Sequence, residues 1–327
     1  MRTVVVGTGT WGTAAAAILF AHQQPVTLLG RSAEKVATLD STRRHPQLPE
    51  VELPAELPIT ADPKVLAEAD LVLWAVPTQH ARSLAKSLSS HVPAQVPVVS
   101  LAKGFEEGTL ATPCAVLLDV LGRRPCGVLS GPSHAVEIIA GKPVCLVAAG
   151  PEEVTALLRA RLHGSRCRIY TSTDRIGVEV GGALKNVIAI AAGICDGLQM
   201  GDNLKAALIT RGLAEMRRMG RALGAHDATF SGMAGIGDLL TTCYAPHGRN
   251  RALGKVIASG VNPLMFLQQQ KTVAEGAVTS RAAVELAQRH GVDLPIAAQV
   301  CAIIWQQTPV RTAMETLFAR SPKEEDA

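Results

Sequence analysis

The sequence predicts an α/β protein: a doubly wound sheet in the N-terminal part, followed by an all-α C-terminal domain. Three observations predict it. Short apolar runs rich in β-branched residues alternate with helix-forming stretches from Thr3 to Ser172. A glycine-rich turn, Gly7-Thr8-Gly9-Thr10-Trp11-Gly12, sits between the first run and the first helical stretch. After Thr173 no convincing strand appears, and helical segments succeed one another to the C-terminus.

Composition sets the bounds. The 327 residues are 47% hydrophobic and 18% charged, enough for two domains with substantial cores. Aromatic residues are only 3%, so Ala, Val, Leu and Gly must build those cores. A net charge of +4 without a dense Lys/Arg block argues against nucleic acid and allows a small anionic ligand. Cysteines 114, 126, 145, 167, 195, 243 and 301 form no CxxC pair. Their number is odd, so neither a disulfide framework nor a metal site is expected. The first residues read directly as a strand, so no signal peptide is expected, and no apolar run reaches membrane-span length uninterrupted by Gly, Pro or charge. A cytoplasmic protein without a membrane span is expected.

Thr3-Val4-Val5-Val6 reads as the first strand, and Thr13 to Phe20 as an Ala-rich helix. The intervening G-x-G-x-x-G has the spacing and context of a dinucleotide fingerprint. Gly7 permits the tight turn, Gly9 lets a pyrophosphate approach the backbone, and Gly12 lets the helix pack close to the strand. Free N–H groups at the helix start then face phosphate. The sheet is therefore of Rossmann type. Val26 to Leu29 is the second strand, ending in Gly30-Arg31-Ser32. No Asp or Glu stands there for a ribose 2′-hydroxyl; Arg31 suits a 2′-phosphate, which favours NADP(H) over NAD(H). Arg31 stacked on adenine, or turned to solvent, is the other reading.

Residues 43–58, broken by prolines, read as a surface loop, and 62–69 as a short helix. Leu71 to Val76 is a continuously apolar strand of a parallel sheet, with a helix to about His91. Val96 to Leu101 is the next strand, and Lys103 lies at its carboxyl end, where open α/β sheets bind ligands. A helix from Thr109 to about Leu121 leads to a strand ending at Ser130 and to the sharp turn Gly131-Pro132-Ser133-His134-Ala135. Strands at 144–149 and 168–172, with a helix between, complete the alternation. Helices are expected at about 175–199, 203–224, 248–259, 279–290 and 295–318. The division is drawn as 1–178, a dinucleotide-binding domain, and 179–327, a helical substrate-binding and catalytic domain. No flexible linker joins them, so the active site is expected between the two.

The stretch from Gly181 to Gly193 is apolar on nearly every face yet carries Lys185-Asn186. A lysine is rarely fully buried without a partner or a task. Burial brings its pKa toward neutrality, which serves proton transfer; the other reading is a packed stem with its ammonium in water. Asp238, after Gly235-Ile236-Gly237, caps a helix or holds Lys185. Gly248-Arg249-Asn250-Arg251 offers guanidinium and amide donors to a phosphate, with Arg251 read as the more solvated. Glu275 alone reads as a surface acid.

Several of these motifs recur together in one family. Thr173-Asp174-Arg175-Ile176-Gly177-Val178-Glu179 with Gly181-Gly182-Ala183-Leu184-Lys185-Asn186 resembles the bacterial NAD(P)-dependent glycerol-3-phosphate dehydrogenases. So do Asp202 to Gly212, Gly235 to Asp238 and Gly248 to Arg251. The resemblance implies Lys185 as catalytic acid/base. It implies substrate contacts from Lys103, Gly131, Ser133, Lys185, Asp238, Gly248, Arg249 and Asn250. It implies cofactor contacts from Thr10, Trp11, Arg31, Lys103, Ala135, Arg249, Val273 and Glu275, beside Gly7, Gly9 and Gly12. Two positions depart from the family pattern. Gly248 stands where many members have serine, and His134 where many have phenylalanine.

The expected reaction is reversible hydride transfer that reduces dihydroxyacetone phosphate to sn-glycerol 3-phosphate, with Lys185 supplying the proton. The resemblance implies a role in supplying phospholipid synthesis. A related β-hydroxyacid or opine dehydrogenase, and a non-catalytic dinucleotide sensor, are the rival readings. The apolar C-terminal helices could form a homodimer face or an internal core.

Overall fold

A computed structural model describes residues 1–246, 248–269, 274–321 and 324. Contacts divide the chain into two compact units, Met1–Gly182 with Ala225–Asp238, and Ala183–Gly224 with Leu239–Ala327.

The first unit is built on β1 (Thr3–Val6), α1 (Thr10–Ala21), β2 (Val26–Leu29), α2 (Ala33–Thr42), β3 (Arg44–His45), β4 (Leu48–Glu52) and β5 (Ile59–Thr60). There follow β6 (Leu71–Trp74), α3 (Thr78–Leu88), β7 (Val98–Ser100), α4 (Pro113–Leu121), β8 (Cys126–Ser130), α5 (Ala135–Ile139), β9 (Val144–Ala149), α6 (Glu152–Leu162) and β10 (Cys167–Ser172). Eight strands form one sheet in the order β10-β9-β8-β7-β6-β1-β2-β5. Its central strands are buried on both faces, as their unbroken Val/Leu runs require. Two apolar layers cover it, one including Trp74, Val98 and Leu117, the other Leu28, Leu73 and Leu146.

Strand order reverses between β1 and β6, both parallel and in register from Thr3 with Leu71 to Val6 with Trp74. In open α/β sheets ligands bind beyond the carboxyl ends of the strands at such a switch point. There the glycine turn follows β1.

Two features of the strands depart from the sequence reading. The sheet is mixed, because β9 runs antiparallel to β8 and β10 follows β9. The five-residue α5 spans about 7.5 Å at 1.5 Å per residue, too short to carry the chain back along β8. The chain therefore re-enters the sheet from the edge it has just left. The region 43–58 is also not simply a loop: within it β3 and β4 form an antiparallel hairpin, and β5, just after it, joins β2. Its prolines stand at edges and turns, where a missing N–H is tolerated.

The C-terminal helices are α7 (Arg175–Gly197), α8 (Asp202–Ala222), α9 (Asp227–Phe230), α10 (Asp238–Tyr244), α11 (Arg249–Ala258), α12 (Pro263–Gln269), α13 (Glu275–His290), α14 (Pro295–Trp305) and α15 (Val310–Phe318). A π turn at Met233–Gly237 precedes α10. The expected single helix over 295–318 is two: Gln307 adopts φ +56°, and Pro309, without an N–H, precedes α15. The segment 225–238 returns to the first unit, where Asp174 Oδ2 accepts from His226 N at 2.9 Å. Asp174 Oδ1 accepts from Gly177 N at 2.8 Å in the first turn of α7.

α7 is the one helix among the described residues long and apolar enough to cross a membrane, but 94% of its apolar window is buried within the fold. Glycines set its packing on α11. A Cβ on Gly193 would stand 2.1 Å from Arg251 O, and one on Gly254 2.1 Å from Ile190 O. Backbone thus meets backbone along this contact.

Candidate active site

The glycine turn is shaped by three different constraints. Gly7 has φ +112°, and a Cβ on it would lie 2.4 Å from the Ala75 carbonyl beyond β6. A Cβ on Gly12 would lie 2.0 Å from Gly7 O, so α1 can start against the turn only with glycine there. Among the described residues nothing lies within 4 Å of the Cβ position at Gly9. Its missing side chain serves no packing contact among the described residues and leaves the backbone open to a phosphate. Gly9 is also the N-cap of α1 and offers no side chain to its first N–H groups. The half-buried Trp11, in the first turn, has an indole N–H with no acceptor among the described residues. The turn therefore fits a dinucleotide pyrophosphate. Arg31 is exposed just beyond β2. No acid flanks it; Ser32 caps α2 by accepting from Lys35 N at 3.3 Å.

A second cluster in the same unit lies past β7 and β8. Lys103 Nζ donates to Asp238 Oδ2 at 2.7 Å, to Gly131 O at 3.1 Å and to Ser133 Oγ at 3.2 Å. Ser133 Oγ donates in turn to Gly131 O at 2.9 Å. Asp238 is 1% exposed, and its carboxylate is placed by the kink at Gly235, where a Cβ would stand 2.0 Å from Phe230 O. Four residues singled out in the sequence, separated by up to 135 positions, thus form one polar group. Asp238 pairs with Lys103 here and is also the first residue of α10, where a carboxylate suits the helix N-terminus.

In the second unit Lys185 is 5% exposed on α7, and its Nζ donates to Thr242 Oγ1 at 2.7 Å. The buried stem with a solvated ammonium is therefore not what the fold contains. Beside it Asn250 Nδ2 donates to Asn186 Oδ1 at 2.9 Å, and Asn250 Oδ1 accepts from Gly276 N at 3.0 Å. A Cβ on Gly276 would approach Asn186 O to 2.5 Å, so this bond network depends on glycine at 276.

This architecture now has counterparts to set beside it. Residues 2–156 match the family model of the NAD-dependent glycerol-3-phosphate dehydrogenase N-terminus, and residues 174–315 that of its C-terminus. The chain belongs to the NAD-dependent glycerol-3-phosphate dehydrogenase family. An NAD(P)+ glycerol-3-phosphate dehydrogenase of Salinibacter ruber is 45% identical over 326 residues, 98% of this chain and 96% of that protein. One from Thermus thermophilus is 43% identical over 330 residues, 99% of this chain and 100% of that protein. The crystal structure of glycerol-3-phosphate dehydrogenase from Coxiella burnetii superposes with a TM-score of 0.92 at 33% identity, covering 98% of this chain and 99% of that one.

Other residues that the family resemblance implicates are placed as follows. Gly248 is the N-cap of α11 and, unlike a serine, caps it with no side chain. Its own N–H points at Ala245 O at 3.4 Å, so it is not a free donor. Arg249 is the exposed first residue of α11, while Asn250 is buried and committed on both sides of its amide. Arg251, read as solvated, instead binds Asp196 through Nε and Ala245 O at 3.1 Å through Nη1. Ala135 and Glu275 are half-buried first residues of α5 and α13. Val273 lies outside the described residues. Among the described residues no group of His, Cys, Asp or Glu could hold a metal ion.

Thr242 belongs to none of the sequence motifs that mark the site. Its signal was spacing: it stands four residues, one helical turn, after Asp238. Cys243 next to it is no rival nucleophile, since burial pushes its thiol up to about 12, against a smaller lowering by Lys185.

Proposed function

We propose that the chain reduces dihydroxyacetone phosphate to sn-glycerol 3-phosphate, reversibly and with NAD(P)H, through Lys185 as proton donor. The observation that carries the site assignment is the 5% exposure of Lys185 with its Nζ held 2.7 Å from a threonine hydroxyl. Residues 1–178 serve as the dinucleotide-binding domain and 179–327 as the helical substrate-binding and catalytic domain.

Bound NAD(P)H supplies the hydride. The cationic Lys185 polarises the substrate carbonyl and gives its proton to the oxygen as negative charge grows there. In the reverse direction it takes that proton back. Thr242, bonded to Nζ, restricts where the ammonium can point. Arg249 holds the phosphate, with Asn250 and the residue at 248 shaping the backbone that presents it. Lys103, Gly131, Ser133 and Asp238 line the substrate, and the Lys103–Asp238 pair keeps the lysine's charge local. Gly7, Gly9, Thr10, Trp11 and Gly12 receive the pyrophosphate; Arg31, Lys103, Ala135, Arg249 and Glu275 complete the cofactor contacts. An arginine without an acid beyond β2 favours NADP(H).

The product would feed phospholipid synthesis in the cytoplasm. The named relatives support this reaction for the whole length of the chain. The test is Lys185→Ala. It should bind NADPH with little change and lose most turnover of dihydroxyacetone phosphate. Near-wild-type turnover refutes the role of Lys185, and a substrate panel with carboxylate-bearing ketones in place of the phosphate checks the substrate class.

A further inference from the structure

The hairpin of β3 and β4 carries His45 to the glycine turn. The residue is 7% exposed, and its Nε2 lies 3.0 Å from the carbonyl oxygen of Thr8. Its Nδ1 accepts the N–H of Gln47 at 3.1 Å. A carbonyl only accepts, so Nε2 carries the proton and Nδ1 does not. Both bonds are satisfied together only by the neutral imidazole, and burial holds this ring below the ordinary histidine pKa.

Thr8 is the middle residue of Gly7-Thr8-Gly9. In the trans peptide that joins Thr8 to Gly9, the C=O and the N–H point in opposite directions. Holding the Thr8 carbonyl therefore fixes the direction of the Gly9 N–H. Gly9 on one side of this peptide, and Gly7 just before Thr8, leave the turn conformationally free unless something restrains it. The Thr8 side chain lies close against Gly30, where an added Cβ would stand 2.8 Å from Thr8 Cγ2. Gly9 O then accepts from Thr13 N at 2.9 Å as α1 begins. The open face of Gly9 is thus presented by a peptide whose orientation is set from behind.

We propose that His45 is a positioning residue for the dinucleotide: through Thr8 it sets the Gly9 peptide that faces the pyrophosphate. The proposal rests on the dinucleotide reading of the turn. It assigns to the hairpin a task in cofactor affinity rather than in the chemical step.

The test measures dissociation constants of NADPH, ADP-ribose and adenosine 2′-monophosphate for the full chain, as wild type, His45→Leu and His45→Gln. His45→Leu should weaken NADPH and ADP-ribose about fivefold to tenfold, the factor typical of one lost hydrogen bond. Adenosine 2′-monophosphate, which has no pyrophosphate, should change less than about twofold on the same scale. The glutamine amide reaches about as far as imidazole Nε2 and should recover most of the loss. KM for NADPH should follow the dissociation constant while kcat at saturation moves far less. If the leucine variant does not fold, His45→Asn, polar but too short for Thr8 O, takes its place. Unchanged NADPH affinity, a glutamine variant as weak as the leucine one, or equal weakening of all three ligands overturns the proposal. A wild-type chain that binds neither NADPH nor ADP-ribose overturns the reading of the turn itself, before any variant is compared.

Discussion

Thr242→Val tests whether the hydroxyl beside Lys185 matters to the reaction. Valine keeps the volume and the branched shape, and removes only the atom that accepts from Lys185 Nζ at 2.7 Å. The site is 8% exposed at Thr242 and 5% at Lys185, so water does not readily replace the lost acceptor. A hydrogen bond to a charged group contributes about 1.5–3 kcal/mol. If that energy serves to aim the ammonium, kcat should fall between about tenfold and about 150-fold, at about 1.36 kcal/mol per factor of ten. Cofactor binding should not follow, because valine removes no group assigned to the cofactor. Thr242→Ser retains the acceptor and should stay within about threefold of wild type, the cost of a small loss in packing. The assay is steady-state reduction of dihydroxyacetone phosphate with saturating NADPH, alongside fluorescence titration of NADPH binding. A valine variant within about twofold of wild-type kcat, or a serine variant as slow as the valine one, refutes the reasoning.

Two further outcomes are expected. Glu215, 2% exposed, caps α14 by accepting from Ile296 N and from Ala297 N at 3.1 Å, yet burial pushes its carboxyl up to about 7. A folded-state pKa raised above the unfolded value of 4.5 means the fold binds the proton more tightly. Its contribution to stability is therefore fully present below pH 4.5 and lost as pH rises to about 7, by about 3 kcal/mol in all. Glu215→Gln should flatten that loss in urea unfolding followed from about pH 4.5 to about pH 8, and parallel curves for the two proteins would contradict it. Arg31→Asp should lower the ratio of kcat/KM for NADPH to that for NADH by at least about tenfold, since it trades attraction for repulsion at a 2′-phosphate. An unchanged ratio would remove Arg31 from the cofactor site.

The elements most legible in the sequence were those whose signal is local. The glycine fingerprint announced itself by spacing and by its place between a strand and a helix. The runs Thr3–Val6 and Leu71–Trp74 were equally plain, because strands covered on both sheet faces lose the polar alternation and are buried at every position. Lys185 stood out because a charge in an apolar helix needs a reason. The hairpin at 44–52 did not stand out, since its prolines and short strands look like loop until a second strand pairs with them. The antiparallel β9 was equally hidden. Direction depends on where the chain re-enters the sheet, and that is set by the length of α5 rather than by any residue of β9.

What the sequence by itself determined is the order of elements, the class of fold and the identity of the polar residues that apolar surroundings make conspicuous. These follow from backbone periodicity and from the cost of burying a charge, both readable along the chain. Tertiary structure decided the partners. Lys103 could have bonded to many acids, and the kink at Gly235 brings Asp238 to it across 135 positions. Lys185 finds its acceptor in a threonine 57 residues away, and Thr8 its donor in a histidine 37 residues away. Pairing at such separations is a property of how glycines let backbones approach and where turns send the chain. Spacing in one sequence carries no record of it.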